Sequence, residues 1–254
     1  EALARHAKDK SFHQPSHPDI VIWAKTAKEV SNILKIANTY GIPVTPWGAG
    51  SSLMGNSIPV KGGIVLNMML MNNILEVTPD SFQVCVQPGV ICDDLNDELK
   101  TYNLFLPAFP GSSHIATLGG VIANNAGGMY AVKYGVMKDW VMELEVVLAN
   151  GKIMRVGSKS IKSVAGYNLL NLFVGSSGTL GVITQATLKL LPIPQTKMAI
   201  LVSFPNLKTV GKAIMGILQS GIKPAAMEHM DELYVAMVNQ AQKDIVLKEL
   251  DTLL

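Results

Sequence analysis

Cysteine is nearly missing: Cys85 and Cys92 are the only two in 254 residues. Two thiols supply neither a disulfide framework nor a four-ligand zinc pattern, so a reducing, cytosolic setting is expected. Charge is scarce as well. Asp, Glu, Lys and Arg make up 16% of the chain, against a usual ~25%. The 21 basic and 19 acidic side chains leave a formal charge of +2, too small to gather nucleic acid by electrostatics. Apolar runs such as 64–66 and 68–71, broken by Asn67, fall far short of the ~20 residues needed to cross a bilayer, so no transmembrane segment is expected. The opening residues lack a basic start followed by a long apolar run, so no secretory signal is expected either. A Gly-Lys-Ser/Thr phosphate loop is absent, which removes the main support for a kinase or GTPase.

What is present is apolar mass and glycine. The chain is 48% apolar with a mean hydropathy of +0.29, the composition of a packed globular protein, and its length suits one or two domains at ~150 residues each. The 22 glycines are bunched: 16 fall within 41–63, 111–135 and 166–181. Glycine permits positive φ and close backbone approach but costs more chain entropy than any other residue. Ordinary turns would account for any one cluster alone. A second feature shifts the balance, because 45–56, 101–132 and 163–188 contain no Lys, Arg, Asp or Glu. Uncharged stretches rich in Gly, Ser, Thr and Asn suit a polar ligand held by backbone N–H groups, which form anion-cradling nests in such turns. A cofactor containing a diphosphate fits that chemistry.

Periodicity supplies a coarse order of elements. A strand over 19–24 is followed by Thr26-x-x-Glu29, a capping box, and by an apolar stripe at Val30, Ile33, Leu34 and Ala37, which predicts a helix stopped at Gly41 and Pro43. Strands are expected over 43–46 and 63–67, completing a βαβ start. Runs at 74–77 and 83–87 flank the turn signal Pro79-Asp80, a short helix is expected over 93–102, and runs at 144–148 and 153–156 flank Asn150-Gly151, a hairpin signal. Alternation over 180–190 ends at Pro192-x-Pro194, which marks a domain boundary. Beyond it come a strand over 198–204 and helices over 207–219 and 231–242, about half of a domain, so the sequence reads as cut short.

The dinucleotide fingerprint Gly-x-Gly-x-x-Gly fails here, since Leu53 follows Gly48-Ala49-Gly50-Ser51-Ser52 and the next ten residues cannot be its helix. The third cluster leads into a strand, and the second, from Thr117, opens a short helix whose N-terminal N–H groups are expected to face a ligand.

Five ordered blocks carry a more specific likeness: 42–52, Pro110-Gly111-Ser112-Ser113 with 117–120 and 124–128, Lys133-Tyr134-Gly135, Val164-Ala165-Gly166-Tyr167, and 173–184. In them the chain resembles the FAD-linked oxidases and dehydrogenases with the vanillyl-alcohol-oxidase (PCMH) type of flavin domain, most of all the branch of D-lactate dehydrogenases and glycolate oxidase flavin subunits, over roughly 18–195. The resemblance implies an α+β, PCMH-type FAD-binding fold of two α/β subdomains, a small βαβ layer (1–78) and a mainly antiparallel sheet (79–195), followed by the start of a ferredoxin-like cap (196–254). It implies that Pro46, Trp47, Gly48, Ala49, Gly50, Ser51 and Ser52 wrap the FAD diphosphate. Gly111, Ser112, Thr117, Gly119, Gly120, Asn124, Asn125, Ala126 and Gly127 would line the ribityl and isoalloxazine side, and Ile183 would contact the adenine half or ring edge. The implied reaction is hydride transfer from the α-carbon of a 2-hydroxy acid, of D-lactate or glycolate type, to flavin N5. A flavin-binding electron-transfer or scaffold subunit without its own substrate site stays open beside it.

Trp47 stands where relatives usually carry Arg, and Ser177 where Glu is usual, which puts partner or substrate preference in doubt. With no His in 45–56, FAD is expected to be held non-covalently. The metal-binding and acid/base histidines of relatives lie in a cap beyond this sequence, so no catalytic residue is assigned. No metal site is expected, since His6, His13, His17 and His229 lack ligand spacing. His114 reads as a loop bystander, Lys133 and Tyr134 as a turn or a flavin contact, and the methionines near 68–71 as core. The expected partners are a 2-hydroxy acid, an unidentified electron acceptor, and a partner subunit or second copy. The expected location is cytoplasmic, with a peripheral position on the inner membrane left open.

Overall fold

A computed structural model describes residues 1–241 and the backbone of 251–253. The chain divides into two compact units, one formed by 1–128 and 136–193, the other by 129–135 and the described residues from 194 onward.

In the first unit a three-stranded parallel sheet has the order β1 (Ile20–Trp23), β3 (Ile64–Asn67), β2 (Val44–Trp47). All four residues of β3 are buried, as a central parallel strand covered on both faces requires. Pro46 is tolerated because β2 is an edge strand. The Ala27–Tyr40 helix joins β1 to β2. Thr26 caps it, its Oγ1 accepting from the Glu29 N–H at 3.2 Å, while the Glu29 carboxylate accepts from the Lys25 N–H at 2.7 Å. Gly41 ends it in the left-handed conformation at φ 65°.

The larger sheet is antiparallel, ordered β4 (Ile74–Thr78), β5 (Gln83–Val86), β9 (Val182–Lys189), β7 (Val141–Val147), β8 (Ile153–Gly157). Asn150-Gly151 makes the β7–β8 turn as its sequence predicts: Gly151 sits at φ 77°, and the Asn150 carboxamide accepts from the Lys152 N–H at 3.0 Å. Between β4 and β5 the chain instead makes a 3-10 turn, Pro79–Ser81, with Phe82 left-handed at φ 53°. A short pair, β6 (Leu104–Phe105) with β10 (Leu191–Pro192), had no sequence signal. One core joins the two sheets, with Val30 and Leu34 of the helix and Leu66 of β3 packed with Met68, Met71, Val147 and Val182. Full burial of a side chain like Leu66 contributes about 1.5–3 kcal/mol.

The second unit contains β11 (Val202–Phe204), the Leu207–Gln219 helix, β12 (His229–Met230), the Glu232–Ala241 helix and β13 (Asp251–Leu253), with sheet order β11-β13-β12. The strand expected from 198 is ordered only from Val202, and Gln242, expected to end the last helix, lies outside the described residues. Asn206 caps the first helix by accepting from the Thr209 N–H at 3.1 Å. Leu207, Met215, Ile222, Leu233 and Met237 of this unit are exposed. The second unit also takes the Ala131–Tyr134 helix with Lys133 and Tyr134, the Lys133 ammonium lying 5.1 Å from the Tyr134 ring.

Candidate functional site

All three glycine-rich, uncharged stretches contribute to one cleft of about 430 Å³ in the first unit. The first stretch leaves the carboxyl end of β2 at Trp47, the end of a parallel strand where open α/β sheets commonly take ligands. Gly50 turns with φ 66° over the Trp47 indole, where a Cβ would overlap the ring. Gly48 lies against the Thr117 hydroxyl, again with no room for a Cβ. None of the five consecutive N–H groups from Gly48 to Ser52 donates to another group among the described residues. These five residues are half-buried at the cleft, and successive backbone N–H groups without a protein acceptor can receive an anion.

The second stretch is the Leu118–Ala123 helix and its flanks. Two of its N-terminal donors are used within the protein, the Leu118 N–H donating to Val90 O at 2.8 Å and the Gly119 N–H to Pro88 O at 2.7 Å, whereas the N–H of the lining Gly120 has no acceptor among the described residues. Gly119 is glycine because a Cβ there would stand 2.6 Å from the Pro88 Cβ. The third stretch closes beside it. Ser177, left-handed at φ 53°, donates its N–H to Ala123 O at 2.8 Å, and Gly178 packs on Pro46. The Asn124 side chain ties the three together: its Oδ1 accepts from Asn56 Nδ2 at 2.5 Å and from Ser177 Oγ at 3.4 Å.

Of the residues singled out from the sequence, Pro46, Trp47, Gly48, Ala49, Gly50, Ser51, Ser52, Ser112, Thr117, Gly119, Gly120, Asn124, Ala126, Gly127 and Ile183 line this cleft. Gly111 and Asn125 do not. Gly111 precedes the lining Ser112, and Asn125 turns away, left-handed at φ 48°, with its carboxamide accepting from the Lys138 N–H at 2.8 Å. Asn56 and Gly178 of the first and third stretches also line it, and so do Met68, Ser57 and Pro88, which no stretch contained. Met68 follows β3, and its N–H donates to Trp47 O at 2.9 Å, so the strand pairing brings it there and no local motif could. Ser177, a member of the third cluster and a departure from relatives, is a lining residue too.

Among the described residues no Lys, Arg, Asp, Glu or His lines the cleft. Its donors are neutral amides and hydroxyls, and its walls carry Trp47, Met68, Val121, Val182 and Ile183. A nest of N–H groups beside apolar walls fits a molecule that joins a diphosphate to flat heteroaromatic ends. The shifted titrations lie outside the cleft. Burial pushes the Cys92 thiol far up, helped by the neighbouring Asp93 carboxylate, and Asp97 raises Lys100 through a 2.7 Å hydrogen bond. Cys85 and Cys92 are both buried and free. Among the described residues no three His, Cys, Asp or Glu come together as metal ligands, and no helix is long and apolar enough to cross a membrane.

Fold and cleft together define a cofactor-binding domain for a diphosphate-linked heteroaromatic. Comparison with known proteins names the family: residues 18–157 match the family described as FAD binding domain, and residues 193–252 match FAD linked oxidases, C-terminal domain. The chain belongs to the FAD-binding-domain family of the FAD-linked oxidases and has its PCMH-type fold. It is 41% identical over 238 residues to the glycolate oxidase subunit GlcD of Bacillus subtilis, covering 94% of this chain and 51% of that protein. It is 39% identical over 238 residues to the mitochondrial D-lactate dehydrogenase [cytochrome] of Arabidopsis thaliana, covering 93% and 42%. Alkyldihydroxyacetonephosphate synthase superposes with a TM-score of 0.81 at 25% identity, over all of this chain and 51% of that one. The chain spans about half the length of the curated relatives it matches.

Proposed function

We propose that this chain holds FAD non-covalently in the cleft and serves an oxidoreductase that removes hydride from the α-carbon of a 2-hydroxy acid of D-lactate or glycolate type. When bound, the flavin accepts that hydride at N5. The observation that carries the reading is the run of five N–H groups, Gly48 to Ser52, without an acceptor in the described chain. They would hold the diphosphate, with Pro46 and Trp47 shaping the turn. Ser112, Thr117, Gly119, Gly120, Asn124, Ala126, Gly127 and Ile183 would bound the remainder of the cofactor. Attachment without a covalent bond is supported by a lining that holds neither His nor Cys.

The lining residues bind, orient and exclude water. None of them titrates near neutral pH, so the group that takes the substrate's hydroxyl proton lies outside the lining. The same feature favours a second reading, a flavin-binding electron-transfer or scaffold subunit that relies on a partner chain, and one relative is itself named a subunit. A cytoplasmic location, with a peripheral position on the inner membrane as the alternative, an electron acceptor and a partner subunit or second copy complete the proposal.

The test is to purify the chain, release its pigment by denaturation and identify it. FAD supports the cofactor assignment, whereas FMN or no flavin defeats it. Bleaching of the bound yellow colour by D-lactate or glycolate supports the enzyme, and a flavoprotein inert to every hydroxy acid supports the subunit.

A further inference from the structure

Residues 1–17 precede the matched FAD-binding region, yet they reach the loop that carries the five free N–H groups. His6 is buried to 2% exposure in a cup made by the last residues of three parallel strands, Trp23, Trp47 and Asn67, which stand in register. Its imidazole lies 4.8 Å from the Trp47 ring and 5.5 Å, edge-on, from the Trp23 ring. The Ala2 carbonyl, 2.8 Å from Nδ1, can only accept, so Nδ1 carries the proton and Nε2 accepts from Asn67 Nδ2 at 2.8 Å. The Asn67 orientation is itself fixed, because its Oδ1 accepts from the Met69 N–H at 2.9 Å. Trp47, held from below by His6, is in turn the surface on which Gly50 turns.

The same segment grips the loop further along. The Lys10 N–H donates to Ser52 O at 3.0 Å. Asp9, 8% exposed, takes the Ser57 hydroxyl at 3.3 Å and the Ser11 N–H at 2.9 Å. The His13 ring packs where a Gly55 side chain would be.

We propose that residues 6–13 are a brace that sets the shape of the 47–57 loop, with His6 as the positioning residue acting through Trp47 and Asn67. This rests on the reading that FAD binds at that loop. The brace spares the loop the entropy of ordering at the moment of binding, and it does so without any brace residue lining the cleft.

The test compares FAD dissociation constants, from flavin fluorescence quenching, for the parent chain, His6→Phe, Asp9→Ala and Ser31→Ala. Ser31→Ala removes a buried 2.6 Å bond to Gly151 O remote from the brace, and so controls for general loss of stability. His6→Phe keeps a ring between the indoles and deletes both hydrogen bonds. The expected result is about tenfold weaker FAD binding for His6→Phe and about threefold for Asp9→Ala, from hydrogen bonds of ordinary strength. Amide exchange at Lys10 and Met69 should also speed up in apo His6→Phe. Ser31→Ala should lower the melting temperature and leave both readouts alone. Parent-like FAD binding and exchange in His6→Phe and Asp9→Ala, or an equal loss in Ser31→Ala, would overturn the brace. A parent chain that takes up no FAD overturns the cofactor reading as well, a failure visible before any variant is made.

Discussion

Gly48 has room for a hydrogen and nothing larger, because the Thr117 hydroxyl fills the space of its missing side chain. Gly48→Ala is therefore expected to cost about 1–3 kcal/mol by overpacking, and adding Thr117→Ala should restore part of it. Denaturant midpoints of the two single variants and the double variant measure that coupling; strictly additive losses would refute the contact. Cys92 gives a second prediction at this scale. Only a thiolate attacks a disulfide reagent, and burial with Asp93 alongside holds the Cys92 thiol protonated. In the folded protein at pH 8 it should react far more slowly than a free thiol, and both cysteines should react on denaturation. The sequence disclosed glycine positions well, since the residue type reports the backbone directly. It disclosed Ser177 and Phe82 poorly: both take positive φ without being glycine, Ser177 held by a bond to the distant Ala123 carbonyl and Phe82 by the local turn bond of its N–H to Pro79 O.

The Ala27–Tyr40 helix has two anchors of unequal reach. Thr26→Ala removes a local cap and should cost about 0.5–2 kcal/mol, read as a fall of a few degrees in melting temperature. Gly151→Ala attacks the distant anchor: φ is 77°, and a Cβ would stand 2.6 Å from Ser31 O and overlap the Lys35 side chain. It should cost at least as much as the cap, and a neutral Gly151→Ala would mean that the hairpin does not press on the helix. Elements of this kind were legible because cap, stripe and stop occupy adjacent residues. The Leu118–Ala123 helix was legible as a helix, but not which of its first donors stay open, since the carbonyls of Pro88 and Val90 that take two of them come from about thirty residues away in the sequence. The β6–β10 pair, two residues a side, has no period to detect.

Across the whole molecule, the three uncharged stretches foretold a single cleft because charge depletion survives folding unchanged. Part of its rim could not be read in advance: Met68 and Pro88, which lie outside those stretches, arrive through strand pairing and loop closure. If the N–H groups hold the diphosphate as proposed, a cleft with no cation in its lining among the described residues should bind with little dependence on ionic strength. The FAD dissociation constant is expected to change by less than about threefold between about 50 and 500 mM salt, where a site built on exposed Lys or Arg would weaken steeply. A large salt slope would place a cation at the diphosphate. The position of β9 has a further consequence for biosynthesis. It is the middle strand of the five, and its Gln185 bonds Cys85 from 100 positions downstream. On the ribosome, β5 must therefore wait for β9 with one edge unpaired, while that strand and its apolar side chains are open to chaperones and to other nascent chains.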